Sequence, residues 1–292
     1  MDYLDERDFE ILVALVEYKV LSTYQIAVLF FSSLRRAQYS IQQLKDLDLL
    51  RTFTWKAAGY NARSSDRHYL SERGAAVAAK YLNRPRKDLP ALPRTDGEAK
   101  AGMPHRSGVN AFFCSLVDVC FKAQGYGLAT WQPERREQGQ RRAIQADAFG
   151  RLVHPGGTIE FYFEYDRNTE NHQALVSKFI GYLEYGEFEA SLRRLHPNVL
   201  FLVPSEGRER NLERALVDAL ASGNAPAPSA PPPYYSTNLD LIRSAGHLGP
   251  TWREILGGKD RLRFDELAVS ERHYFTLAEC LGHRWRLKER DA

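Results

Sequence analysis

The sequence predicts an α+β fold in two domains, and three observations carry that expectation. Up to Leu82 the chain runs through amphipathic helical stretches interrupted by two short β-type runs. From Asn83 to Pro104 a polar segment with four prolines shows no hydrophobic period. Beyond it strand-like alternation dominates, above all in IEFYFEYDRNTE, Ile159 to Glu170, where aromatic or aliphatic residues alternate with carboxylates.

Composition excludes several classes before any motif is read. With 43% hydrophobic and 26% charged residues the chain is an ordinary globular one, and no apolar run approaches bilayer length. Its start, MDYLDERDFE, is acidic and unlike a secretory leader, so a cytoplasmic location with no membrane partner is expected. Cys114, Cys120 and Cys280 are an odd number without CxxC spacing and read as reduced, packed thiols. The eight histidines are scattered and join no Cys pair, so no zinc site is expected. The formal net charge of +3 conceals an asymmetry, because residues 20–95 hold thirteen Lys/Arg against five Asp/Glu. Such a basic segment suggests a polyanionic partner, although a solvated surface has the same composition.

The first domain is expected over residues 4–83. DERDFEILVALVEYKVLS has Phe9, Leu12, Val13, Leu15 and Val16 at helical spacing, with acids in the first turn. Ser22 or Thr23 would cap a short second helix, YQIAVLFF, and Ser32 or Ser33 a third, LRRAQYSIQQLKDLDLL. In that third helix Leu34, Ala37, Ile41, Leu44 and Leu47 form the expected buried stripe. Two β-type runs, LLRTFTW and DRHYLS, follow with KAAGYNARSS between them, and then the Ala-rich helix ERGAAVAAKYL. This order resembles a winged helix-turn-helix, whose third helix enters the major groove while the loop touches the backbone. On that resemblance Ser33, Arg35, Arg36, Gln38, Tyr39, Gln42 and Lys45 would face double-stranded DNA. Lys56, Arg63, Arg67 and His68 would contact phosphates. A polar helical face that is merely solvated is the alternative.

Residues 84–104 read as a linker, 105–258 as the second domain and 259–292 as a C-terminal extension. HRSGVNAFFCSLVDVCFKAQGY should be a helix with Val109, Phe112, Phe113, Leu116, Val117 and Val119 turned inward. Strand-like GLATWQPE, AIQADAFG and TIEFYFEYDRN follow, the last two separated by a Pro-Gly-Gly turn signal. A turn centred between Pro155 and Gly156 would set Asp147 opposite Glu164, with Asp166 two residues further on the same face. Three carboxylates on one face make a hard oxygen site suited to Mg2+ or Mn2+, and such an ion polarises a scissile phosphate. The competing reading is a solvent-facing strand whose acids pair with nearby arginines. After the strand, Asn168 or Thr169 would cap a helix bearing Lys178 and Tyr182 as an i, i+4 pair. A buried strand, NVLFLVP, and a further amphipathic helix complete a mixed α/β sheet.

With QADAF, FEYDRNTE and KFIGY on the page, the chain is similar to the replication-relaxation family of plasmid and mobile-element proteins. The order α-β-β-β-α-β also resembles the restriction-endonuclease-like PD-(D/E)xK fold. The resemblance covers roughly residues 5–255 through short motifs. It implies that Asp147 matches the strand-two Asp and Glu164 the (D/E), while Asp166 stands where that fold's lysine is expected. The catalytic candidates it implies are Asp147, Glu164, Asp166 and Lys178, the last reaching in from the helix, and the metal ligands are the three acids. The implied function is a DNA-binding protein with metal-dependent nuclease or nickase chemistry, using Mg2+ or Mn2+. The alternative is a catalytically inactive accessory or regulatory protein on the same fold, with no cofactor. Other plasmid replication or mobilisation proteins and a second copy of the chain are the further partners considered. Gly-Pro-Thr-Trp near the end resembles the close of the family pattern, and Trp252 is expected to pack on the core.

Overall fold

The computed structural model describes residues 4–56, 64–139, 142–223, 232–269 and 276–290. The chain forms two compact units, Met1–Phe121 with Leu277–Ala292, and Lys122–Thr276. The division therefore falls at Phe121/Lys122 rather than in the proline-containing stretch.

The first unit opens with α1 (Glu6–Tyr18), entered through a capping box. The Asp8 amide donates to the Asp5 carboxylate at 2.9 Å and the Asp5 amide to Asp8 at 3.2 Å, which satisfies two otherwise orphaned N–H groups. After β1 (Leu21–Ser22), a second capping box between Ser22 and Gln25 starts α2 (Thr23–Phe30). Ser33 caps α3 (Leu34–Asp46). Then come β2 (Leu50–Lys56), β3 (Ser64–Leu70) and α4 (Glu72–Tyr81), with the strands ordered β1-β3-β2 and antiparallel. This is the winged-helix arrangement.

Two expectations need correction here. Leu34 is 47% exposed because it opens α3 one turn before the core begins. Its place in the buried set goes to Ser40, whose hydroxyl donates to the buried Asp8 at 2.9 Å. The expected linker is also not bare tether. Thr95 caps α5 (Asp96–Lys100), and Ala99 packs with Val20, Phe53, Tyr69 and Met103 in one apolar cluster. The long helix α6 (Met103–Lys122) follows. Its Asn110 is buried and donates to the Val20 carbonyl at 2.9 Å.

The second unit is a six-stranded mixed sheet, ordered β4-β5-β6-β7-β8-β9. A meander of β4 (Gly127–Gln138), β5 (Ala143–His154) and β6 (Gly157–Tyr165) is antiparallel, with β4 running past GLATWQPE through Arg135 and Arg136. The helix α7 (His172–Ser191) crosses to the parallel β7 (Asn198–Val203), and α8 (Glu206–Ala221) to the parallel β8 (Tyr234–Asn238). A short α9 (Leu239–Ala245) and the antiparallel β9 (Arg253–Glu254) close the edge, and α10 (His283–Arg290) belongs to the first unit. The α7 cap is Asn171, three residues later than Asn168, because the chain leaves β6 through an irregular turn with Asn168 at φ +62°.

β6 lies between β5 and β7, and both its faces are buried. One face meets α7 and α8 in a core that includes Tyr162, Phe179, Leu183, Phe201 and Leu212. On the other, Phe161 packs edge-on against Phe264, and Phe264 against the fully buried Trp252. Glu164 of β6 is therefore under a helix and not on a solvated face.

The hairpin register agrees with the sequence arithmetic: His154 pairs with Gly157 and Ala148 with Phe163, which puts Asp147 level with Glu164 at the end of the ladder. Gly150 makes that register possible, since a Cβ there would lie 2.3 Å from Phe161 Cζ, and the Phe161 ring is fully buried. Gly150→Ala is expected to destabilise the second unit by about 1–3 kcal/mol, measured as a lower denaturation midpoint. An unchanged midpoint would mean that the ring can move.

Candidate functional site

Glu164 is the centre of the acid site and is 1% exposed. Bare burial of a carboxylate is unfavourable, and the helix above it answers with two donors one turn apart. Tyr182 donates its hydroxyl to Oε1 at 2.6 Å, and Lys178 donates Nζ to Oε2 at 3.0 Å. Lys178 also donates to Glu170 Oε1 at 2.9 Å. Asp147, half-buried on β5, accepts the Tyr165 amide on Oδ2 at 2.7 Å and is thereby fixed across the hairpin.

These contacts set opposing pressures on the protons. Burial pushes the Glu164 carboxyl up to about 7, with the Asp147 charge adding to the rise and Lys178 opposing it. Burial alone would lower Lys178, but Glu164 and Glu170 outweigh it and hold the ammonium above its ordinary range. Burial and the Glu164 charge raise Tyr182 well above 10, so its hydroxyl stays a donor. The result is a permanently cationic lysine touching a carboxyl that titrates near neutrality, the range in which a general base is most effective.

Asp166 does not join this group. β6 ends at Tyr165, so the alternation that would have aimed Asp166 at the acid face ends with it. Its carboxylate instead accepts the Asn168 amide at 2.8 Å and is ion-paired with the buried guanidinium of Arg208, which also holds the Glu170 carbonyl at 2.8 Å. Among the described residues no three His, Cys, Asp or Glu side chains are grouped to hold a metal ion. The structure thus brings together Asp147, Glu164 and Lys178, and sets Asp166 apart. Arg208 and Glu170 carried no sequence signal: each reads as an ordinary surface charge until the fold turns it inward.

The α3 candidates divide differently. Arg35, Arg36, Gln38, Tyr39, Gln42 and Lys45 are all exposed, Tyr39 by 77%. Ser33 is exposed as well, its hydroxyl accepting the Arg36 amide at 3.4 Å. With Arg7 and Phe31, several of them border an open cleft of about 860 Å3. Arg67 and His68 are corrections. Arg67 is only 9% exposed and its pKa is lowered by burial. His68 is 2% exposed, bridges Thr23 and Thr52 at 2.8 and 2.9 Å, and is pushed down to about 4 by burial. A neutral, fully bonded imidazole and an enclosed guanidinium do not contact phosphates. Arg63 and the side chain of Lys56 lie outside the described residues.

The sequence profile of the family described as replication-relaxation matches residues 12–198. Among curated proteins none matches the chain. Among solved structures, a mutant of Lactococcus lactis ZitR is similar over 38% of this chain and 75% of that one, at 18% identity and a TM-score of 0.23. Bacillus subtilis PadR in complex with operator DNA is similar over 39% and 68%, at 14% identity and a TM-score of 0.21. Those scores are too low to carry a role over to this chain. No helix among the described residues is long and apolar enough to cross a membrane.

The raised Glu164 pKa fixes the sign of a stability profile. An unfolded glutamate titrates near 4.3, so between that value and about 7 the folded state holds the extra proton. Stability from this group is complete below about 4.3 and is lost as pH rises through about 7. Glu164→Gln cannot titrate, so its denaturation midpoint should fall less than wild type's between pH 5 and 8. Equal slopes would assign the titration to another group.

Proposed function

Because the chain belongs to the replication-relaxation family, we propose that it is a DNA-binding protein whose winged helix docks on duplex DNA and whose second unit carries a phosphodiester-cleaving centre. The single observation behind the second half is Lys178 Nζ at 3.0 Å from a Glu164 carboxylate buried next to Asp147. In a restriction-endonuclease-like arrangement a lysine stabilises charge developing on the phosphate. Here the usual strand position holds Asp166, which is occupied with Arg208, and the helix supplies the cation instead.

Magnesium is commonly held by one or two carboxylates, with water and substrate phosphate oxygens completing its shell. Asp147 and Glu164 fit that pattern, and they are the residues that would hold such an ion. When bound, it would polarise the scissile phosphate and lower the pKa of a water. The chain's own groups do the rest. Asp147 is held in place for the ion by the Tyr165 amide at 2.7 Å, and the proton of the attacking water would pass to solvent. Lys178 offsets negative charge on the phosphate, and Tyr182 holds the Glu164 rotamer through its 2.6 Å hydrogen bond. A plasmid or mobile-element setting, with other replication or mobilisation proteins as partners, belongs to the same proposal.

One observation favours the second reading, an inactive accessory protein: both Glu164 oxygens are already engaged by the protein's own donors. The readings part on supercoiled plasmid incubated with Mg2+ or Mn2+. Nicked product is expected from wild type, reduced at least ~100-fold by Glu164→Gln or Lys178→Ala. No product at any metal concentration, with DNA affinity intact, leaves the accessory reading.

For the winged helix, Arg35→Ala should weaken duplex binding for all sequences and lower the salt dependence by about 0.9 for each phosphate the arginine neutralises. Gln38→Ala should cost about 1–3 kcal/mol at one base position only. Titrations in which both variants bind like wild type would remove α3 from the interface.

A further inference from the structure

The sheet face that carries Glu164 continues into an open cleft of about 640 Å3 within the second unit. Tyr162 lies two residues along β6 from Glu164, about 7 Å at strand rise, and lines the cleft's near end. Its ring meets that of Tyr182, the residue that donates to Glu164. Phe149 is the cross-strand partner of Tyr162, and the guanidiniums of Arg135 and Arg151 sit over the Phe149 ring at 5.9 and 5.5 Å. Arg135 is paired with Glu137 and Arg151 with Glu160, while a third acid of the wall, Glu189, is buried, so the uncommitted positive charge lies at the rim.

The rim differs. Arg193 and Arg194 are exposed, line the cleft, and have no ion pair among the described residues. α7 ends with the Arg193 amide donating to Ala190 O at 2.9 Å and the Arg194 amide to Glu189 O at 3.0 Å. That closure requires a left-handed residue, here Arg193 at φ +57°, where glycine is the usual occupant. Lys19, Asp48 and Asn83 close α1, α3 and α4 at positive φ as well, so what distinguishes Arg193 is its uncommitted charge at the mouth of an aromatic cleft. A groove of free cations over stacked aromatic and guanidinium planes is the chemistry that grips single-stranded nucleic acid.

We propose that this cleft binds a single-stranded nucleic-acid segment, with phosphates on Arg193 and Arg194 and bases against the Phe149–arginine stack. The proposal rests on the nucleic-acid reading of the second unit. The bland alternative is that the arginines merely offset the α7 dipole.

The test uses the full chain in EDTA, with fluorescence anisotropy of a labelled oligo-dT of about 12 nucleotides and of a duplex of equal length. Arg193→Gly removes the charge while relieving the left-handed strain. Oligo-dT affinity should fall at least five-fold, with thermal stability equal to or above wild type. The double variant Arg193→Gly/Arg194→Ala should fall further and lose about 1.4 from the salt slope, ~0.7 per phosphate, with duplex affinity unchanged. Phe149→Leu should weaken oligo-dT without altering the slope. Unchanged oligo-dT binding in the double variant overturns the proposal, and so does an equal loss on duplex. Displacement of oligo-dT by a polyglutamate peptide at matched charge would also overturn it, by assigning the cleft to acidic protein segments. No cleavage enters this assay, so an inactive plasmid assay leaves its outcome standing, and a failure here leaves the hydrolysis reading untouched.

Discussion

A carboxylate almost without solvent inside a sheet is the constraint around which the second unit is built. Glu164 sits on β6, between β5 and β7 and under α7, where an unpaired charge would be far too costly. Its donors must come from the covering helix, and an i, i+4 pair is the spacing that delivers two side chains to one point. Lys178 and Tyr182 therefore set the rotation of α7 over the sheet. The apolar residues Leu175, Phe179 and Leu183 then fall on the core side of the same helix. Chemistry and packing are satisfied by one helical phase.

The buried acids of this unit are treated in two ways. Asp166 faces the guanidinium of Arg208. Glu209, fully buried, accepts from Ser236, Asn238 and both terminal nitrogens of Arg261. A planar fork meeting a carboxylate is a rigid clamp. These two clamps, on adjacent residues of α8, tie the end of β6 to β8 and to the 251–261 segment. Glu164 has a lysine and a phenol instead, and burial pushes its carboxyl up to about 7 against the pull of Lys178. A point-like ammonium on a flexible stem leaves the carboxyl able to change protonation. The site is mobile in its protons and held by rigid neighbours.

How much of this was legible follows from how local each cause is. Ser22 and Ser33 were each readable as one of two cap candidates because a cap depends on residues within one turn. The register that sets Asp147 level with Glu164 was readable because a tight turn fixes pairing by symmetry. Asp166 was misread because parity holds only inside a strand, and the position of the strand's end depends on Arg208, 42 residues away. Arg67 and His68 were misread because charge counting cannot separate an enclosed cation from an exposed one. Only the packing against β1, β2 and Thr23 decides that. The supposed linker failed for the same reason: Ala99 and Met103 are too sparse to show a period, yet they cover Phe53 and Tyr69.

Seen from Arg208, the aspartate at position 166 has a physical cause. A lysine at 166 would meet a buried guanidinium, two like charges in a poorly solvated place, and one of them would have to neutralise. Aspartate there turns the conflict into a clamp, but it withdraws position 166 from the acid face. The cation that Glu164 needs must then come from another element. β5 offers the anionic Asp147, and β7 at this level presents Phe201, the apolar partner of Glu164 in the parallel register. α7 alone among these neighbours supplies a cation within reach, and its Lys178 is held by Glu170 from the second side. Given the arginine on α8, the helix-borne lysine is the arrangement that leaves no buried charge in this cluster without a partner.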